Sequence, residues 1–156
     1  MLVPAILYKT EIEKAFAKEV YTKDYFYYSG YPHSHSLPEI VAEDYIYQFA
    51  IIDENENLLG YLAYWVDRLG DTVYNFGLYS FCKGNYLIGK ELFVKMEELV
   101  KKYHRIEWRM ISGNPVQKHY DKFCKMHHGN VVVLHDVCKD EDGVYHDEYI
   151  YEIVNK

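Results

Sequence analysis

A mixed, mostly antiparallel α/β (α+β) sheet with flanking helices is the fold class that the sequence predicts, in a single domain spanning 1–156. Three observations carry this. Runs rich in aromatic and β-branched residues recur with short polar breaks between them, as in YIYQFAIID and LLGYLAYWVD around Asp53-Glu54-Asn55-Glu56-Asn57. From Leu87 onward, Ile88, Leu92, Met96, Leu99, Val100 and Tyr103 fall on one helical face. Most neighbouring strands are joined by hairpins, while two in the second half are joined by crossover helices, which mixes antiparallel and parallel pairing. No repeat or linker interrupts the 156 residues, and 49% hydrophobic with 26% charged residues suffices for one core.

The predicted order is β-α-α-β-β-β-α-β-α-β-β. The apolar VPAILYK opens as a strand, and Thr10 with Glu13 has the form of a capping box starting a helix that runs to about Val20. KDYFYYSGYPHSHSLPEI has loop chemistry and leads into a short helix near Pro38 to Tyr45. After the hairpin, Leu69-Gly70-Asp71 breaks the chain before the strand TVYNFGLYSF. The long helix then carries Glu91/Lys95, Glu97/Lys101 and Glu98/Lys102 at the i,i+4 spacing of ion pairs. RIEWRMI alternates as a strand and ends at Ser112-Gly113. Asn114 is the expected N-cap of the next helix with Pro115 at its first position. Val116, Tyr120, Phe123 and His127 share a face of that helix, and Gly129 is its expected terminator. NVVVLHDVCK and VYHDEYIYEIV close the chain as a hairpin around Asp140-Glu141-Asp142-Gly143.

Composition narrows the function classes. A net charge of -7 argues against nucleic acid as a partner, since phosphate-backbone binding needs concentrated positive surface; a cationic or amine-bearing partner suits the sign better. Cys82, Cys124 and Cys138 are odd in number and lack C-x-x-C spacing, so neither a disulfide framework nor a zinc ribbon is expected. The N-terminal apolar run lacks a basic leader and is too short for a signal peptide or membrane span, which predicts a cytoplasmic protein without membrane attachment. The 18 tyrosines suit half-buried strands and ligand clefts equally.

The most informative junction is FCKGNYLIGKELF, where a strand becomes the long helix with Lys83, Gly84, Asn85 and Gly89 between them. A glycine-bearing approach to a helix N-terminus can cradle a phosphate on unpaired N–H groups. A plain turn with Asn85 as N-cap and Lys83 in solvent is the competing reading.

With these segments in place, the chain resembles the GCN5-related N-acetyltransferase (GNAT) family over nearly its whole length. DENENLLGYLAYWVD resembles the family's second and third strands. YNFGLYSFCKGNYLIGKELF resembles its coenzyme A pyrophosphate segment. NPVQKHYDKFCK resembles its Asn-to-Tyr helix segment, and DGVYHDEYIYEI its closing strand. The pyrophosphate pattern departs from the family's: with Gly89 at the last place, Leu87 stands where an inner glycine is usual, and one inserted residue is needed to make Lys83-Gly84-Asn85 the basic start. Asn114 and Tyr120 are six residues apart where seven is common.

The resemblance implies an acyl transfer from acetyl-CoA to an amine, on a small molecule or a protein. Attack on the thioester needs a neutral amine, N–H donors for the developing oxyanion, an acid for the leaving thiolate and close placement of the reactants. It further implies that the pantetheine arm pairs with free backbone at Leu78, Tyr79 and Ser80. The pyrophosphate would meet Tyr86, Leu87, Ile88 and Gly89, with charge from Lys83 and Lys90. Asn114 would bond the pantetheine or a water, or be simply an N-cap. Tyr120 is the candidate general acid, with a core aromatic as its alternative. No Glu or Asp lies between Thr72 and Cys82, so the base is a relayed water or the amine arrives neutral. Glu107 and Arg109 alternate with apolar neighbours and line the site's far face or are surface charges. Tyr28, Tyr31, His33 and His35 fall where the acceptor loop is expected; imidazoles titrate near neutrality, and with no third ligand at a telling spacing no metal site is expected. Two other classes remain: a catalytically inactive GNAT-fold module that binds coenzyme A or a protein, and an unrelated mixed-sheet interaction protein. A homodimer is compatible with any of the three.

Overall fold

The strands assemble into one seven-stranded sheet, in a computed structural model that describes residues 1–28 and 37–155. The strands are β1 (Leu2–Pro4), β2 (Ile46–Ile52), β3 (Leu58–Asp67), β4 (Thr72–Ser80), β5 (Arg105–Ile111), β6 (Asn130–Lys139) and β7 (Tyr145–Val154). Their spatial order is β1-β2-β3-β4-β5-β7-β6. Only β4 and β5 run parallel; every other neighbouring pair is antiparallel. The helices are α1 (Lys9–Glu19), α2 (Tyr86–Lys102) and α3 (Gln117–Met126), with 3₁₀ turns at Ala5–Tyr8 and Lys23–Tyr27. Among the described residues no helix is long and apolar enough to cross a membrane.

Alternation along the strands builds two cores. On one face, Leu62, Tyr64, Val73, Phe76, Ile106 and Trp108 pack under Leu92, Met96 and Leu99 of α2 and Tyr120 and Phe123 of α3. On the other, Ala50, Tyr61 and Tyr79 pack under Ile12 and Phe16 of α1 and the rings of Tyr25 and Tyr28. Trp108 stacks on Tyr151 across β5 and β7, with centroids 5.1 Å apart and planes 4° apart.

Several local expectations need correction. No helix forms between Pro38 and Tyr45; residues 37–43 are irregular, and the helical turn comes earlier, at Lys23–Tyr27. The Gln48 side chain takes over the backbone groups that a helix would have paired, accepting from Val41 N–H at 2.9 Å and donating to Glu39 O at 2.7 Å. An isolated turn of helix is hard to nucleate, and here it is not needed. Thr10 does not cap α1, because the chain enters at Lys9 directly from the 3₁₀ turn and Tyr8 stands at the cap without a side-chain bond. Asn114 caps a turn rather than α3 itself: its Oδ1 accepts from Val116 N–H at 3.1 Å, and α3 begins two residues beyond Pro115.

At the far end of α3 the left-handed residue is His128 (φ 54), not Gly129. Gly129 is there for closeness, since a Cβ would stand 2.5 Å from Glu152 O and 2.7 Å from Cys124 Sγ. None of the three expected i,i+4 pairs of α2 forms. Lys95 binds Glu98, Glu91 meets the amino terminus, and Glu97 meets His127 Nε2 at 2.8 Å. An i,i+3 neighbour wins at Lys95 and tertiary partners win at Glu91 and Glu97, because exposed i,i+4 pairs are worth only a few tenths of a kcal/mol.

Candidate active site

The parallel pair β4 and β5 does not stay paired. Its register runs Thr72 to Arg105, Val73 to Ile106 and Phe76 to Trp108, and ends there, so residues 77–80 and 109–111 separate. A bulge starts the parting. Between Tyr74 and Gly77, β4 takes an extra residue against β3, and Asn75 adopts φ 50, a conformation that Asn tolerates better than most residues. Past the bulge β4 remains paired on its other side, Leu78 to Leu62, Tyr79 to Tyr61 and Ser80 to Gly60. Phe81 N–H donates to Leu59 O, so by strand alternation the backbone groups of Leu78 and Ser80 turn toward the opening. A close approach keeps the β3 side tight, since a Cβ on Gly60 would stand 2.7 Å from Tyr79 O.

Below this opening lies a groove of about 1120 Å³ between the end of β4, α2 and the start of α3. Leu78, Ser80, Gly84, Asn85, Ile88, Gly89 and Lys90, all expected at a cofactor site, line it. Phe93, Val94, Val116 and His119 give it an apolar wall that the sequence reading missed. Its signal was available: Phe93 and Val94 are apolar residues of α2 outside the core stripe. The acids in the wall are engaged, Glu98 with Lys95 and Glu97 with His127 Nε2, while Lys90 and Lys101 also line the groove.

The helix mouth is partly capped and partly open. Asn85 Oδ1 accepts from Leu87 N–H at 3.0 Å, which removes one of the expected donors. Gly84 takes φ 74, as only glycine does readily, and Cβ atoms built on Gly84 and Gly89 would meet nothing within 4 Å. Open space above the first turn of α2 and unzipped backbone on β4 together fit a diphosphate carrying a thin arm. At the parting point Trp108 Nε1 is buried without an acceptor among the described residues.

The other expected residues fall outside the groove's lining. Lys83 forms an ion pair with Asp24, tying the turn to Lys23–Tyr27. Tyr86 is exposed, and Leu87 packs at the edge of the core. The Tyr79 side chain points to the opposite face, donating to Glu19 Oε2 at 2.9 Å; burial foremost, and this carboxylate next, hold its pKa above the ordinary phenol value. Asn114 Nδ2 reaches Tyr27 O at 3.4 Å and fastens α3 to the 3₁₀ turn. Tyr120 is 6% exposed, in an aromatic cluster with Phe93, Trp108 and Tyr151, and burial pushes its phenol pKa up. Glu107 and Arg109 belong to a charge network on the far face of β5, where Arg105 donates to Glu107 and Glu152 and Arg109 lies 3.6 Å from the buried Glu148. Tyr28 lines a second cavity, described below. Tyr31, His33 and His35 lie outside the described residues. Among the described residues no cluster of His, Cys, Asp and Glu could hold a metal.

That second cavity, about 360 Å³, opens on the α1 face of the sheet beside the bulge, lined by Tyr28, Glu39, Glu43, Tyr45, Trp65 and Asn75 among others. The gap between β4 and β5 thus has a groove on one face and a cavity near it on the other.

No family model matches the sequence, and a search of curated proteins gives no significant match. Solved structures do match. A GNAT-family protein from Chromobacterium violaceum is 14% identical with a TM-score of 0.65, over 99% of this chain and 85% of that one. The ribosomal-protein-S18-alanine N-acetyltransferase from Escherichia coli is 15% identical with a TM-score of 0.62, over 93% and 88%. A ribosomal L7/L12 α-N-protein acetyltransferase in complex with coenzyme A is 16% identical with a TM-score of 0.53, over 70% of this chain and 62% of that one. This chain therefore spans less than two thirds of the length of that last protein. Identities this low speak for architecture, and on that ground the chain has the fold of the GCN5-related N-acetyltransferases.

Proposed function

We propose that the chain is an acyl-CoA-dependent N-acyltransferase that moves an acetyl group from acetyl-CoA to a primary amine by direct attack in a ternary complex. The observation that carries this reading is the parting of β4 from β5 after Phe76 and Trp108, directly beside the groove. A fully zipped sheet would leave no backbone free for a linear ligand.

Acetyl-CoA supplies an activated acyl carbon and a thiolate leaving group. The chain's own residues do the rest. Leu78 and Ser80 offer backbone N–H and C=O groups to the arm, and the apolar wall of Phe93, Val94 and Val116 keeps it out of water. The first turn of α2 and Lys90 face the diphosphate. An N–H on β4 in the gap is the proposed stabiliser of negative charge on the acyl oxygen. The new N–C bond forms as the C–S bond breaks; the amine gives up one proton and the departing sulfur takes one.

Tyr120 is the proposed donor to sulfur: a phenol is protonated at neutral pH, and burial moves its pKa further up. No carboxylate on β4 is available to strip the amine, so the acceptor reacts in its neutral form, with its proton passing to water. The proposed setting is the cytoplasm.

Acetyl-CoA should raise the melting temperature, because a ligand that binds only the folded state stabilises it. Release of free thiol should follow when amines are added. Tyr120→Phe should lower turnover by about a hundredfold or more, the range of a lost acid catalyst, with cofactor affinity unchanged. Wild-type turnover in Tyr120→Phe would remove Tyr120 from the mechanism. A thermal shift without turnover on any amine would favour an inactive module that binds coenzyme A.

A further inference from the structure

We propose that the second cavity holds the non-reacting ammonium of a short diamine or polyamine, so that the acceptor is a dicationic alkylamine. This rests on the acyltransfer reading above and names the substrate class for the same site. The cavity combines two carboxylates, Glu39 and Glu43, with the aromatic residues Tyr45 and Trp65, and no Lys or Arg is among its lining residues. Carboxylates with aromatic faces are the chemistry that selects an alkylammonium over a neutral or anionic group. Neither carboxylate has an ion-pair or hydrogen-bond partner among the described residues, whereas both acids of the groove, Glu97 and Glu98, are engaged. Arg68, three residues after Trp65, is engaged with Asp44 O at 3.0 Å.

Position supports the same assignment. Tyr61, Ala63 and Trp65 alternate onto the cavity face of β3, and Ala63 pairs with Gly77, the first residue of β4 beyond the bulge and the parting point. Trp65 lies two residues further from the gap, about 7 Å along the strand. Tyr45 meets its ring edge-on at 6.4 Å, and Glu43 is on the same side. One amine at the Ala63 level therefore reaches the gap while a second sits between Glu43 and the two rings. Gln48 ties the wall together, accepting from Val41 N–H, donating to Glu39 O and donating to Tyr61 Oη at 2.8 Å.

The test compares 1,4-diaminobutane with 4-amino-1-butanol, which have the same chain length and differ by one charge, as acceptors with acetyl-CoA. We expect kcat/KM to favour the diamine at least tenfold, and this preference to shrink severalfold in Glu43→Gln and in 0.5 M salt. Circular dichroism of Glu43→Gln checks that it folds; should it not, Trp65→Phe and the salt series carry the same comparison. Equal use of the two acceptors, on a protein that acetyl-CoA stabilises and that turns over, overturns the inference and leaves the acyltransferase reading intact. A protein that acetyl-CoA neither stabilises nor acylates with overturns that reading and the inference together.

Discussion

At the scale of single residues, Gly89 is the sharpest point of the site. A methyl group there meets nothing within 4 Å in the protein, so Gly89→Ala should not harm the fold. Within a helix the change should add about 0.5–1 kcal/mol of stability. If the open space above it is where a diphosphate approaches, the same methyl should weaken acetyl-CoA binding about tenfold or more. Opposite signs in thermal melting and in calorimetric titration are the expected outcome; unchanged cofactor affinity would mean that the anion sits elsewhere. Gly89 and Lys90 were legible as site residues because a glycine on an exposed helix turn has no packing purpose. Lys83 was legible only as a cation. Its Asp24 partner comes from a segment 59 residues away, and no local pattern announces it.

At the scale of elements, α2 starts where its cap is. Asn85→Ala removes the bond to Leu87 N–H and should lower stability by about 1 kcal/mol, a drop of roughly 2–4 °C in melting temperature for a domain of this size. The freed N–H then points at the groove mouth, so cofactor affinity should fall by less than in Gly89→Ala, as titration of the two variants side by side will show. The long helix, the hairpins and β5 were readable because apolar periodicity and turn residues act within the element. The segment 37–43 was not, because Pro38 and its neighbours suit a helix start, while Gln48 on β2 decides how their backbone groups are satisfied. The same holds for α3, whose start depends on how Asn114 is held against Tyr27.

At the scale of the whole molecule, the aromatic content sets a limit on alkaline stability. Tyr64, Tyr79, Tyr120 and Tyr151 all have phenol pKa values raised in the fold, in each case chiefly by burial. A raised folded-state pKa contributes stability that is fully present below the unfolded phenol value of about 10 and is lost as pH climbs toward the folded value. Denaturant midpoints should therefore be flat in these groups' contribution at neutral pH and fall steeply above about pH 10. In spectrophotometric titration these phenols should ionise only as the fold is lost. Four early-ionising tyrosines in a still-folded protein would contradict the two-core packing.

Taken by itself, the sequence determined the fold class, the long core-bearing helix α2, the pairing of β2 with β3 and of β6 with β7, and the glycine-bearing turn between β4 and α2. Each of these follows from side-chain periodicity and turn chemistry over a few neighbouring residues. The tertiary structure alone decided that β4 and β5 part after Phe76 and Trp108, that Val116 and His119 meet Phe93 and Val94 across one groove, and that Glu43, Tyr45 and Trp65 gather on the opposite face. Those features arise where a bulge on one strand meets packing from segments distant in the chain, and a sequence read in windows carries no term for the distance between two strands.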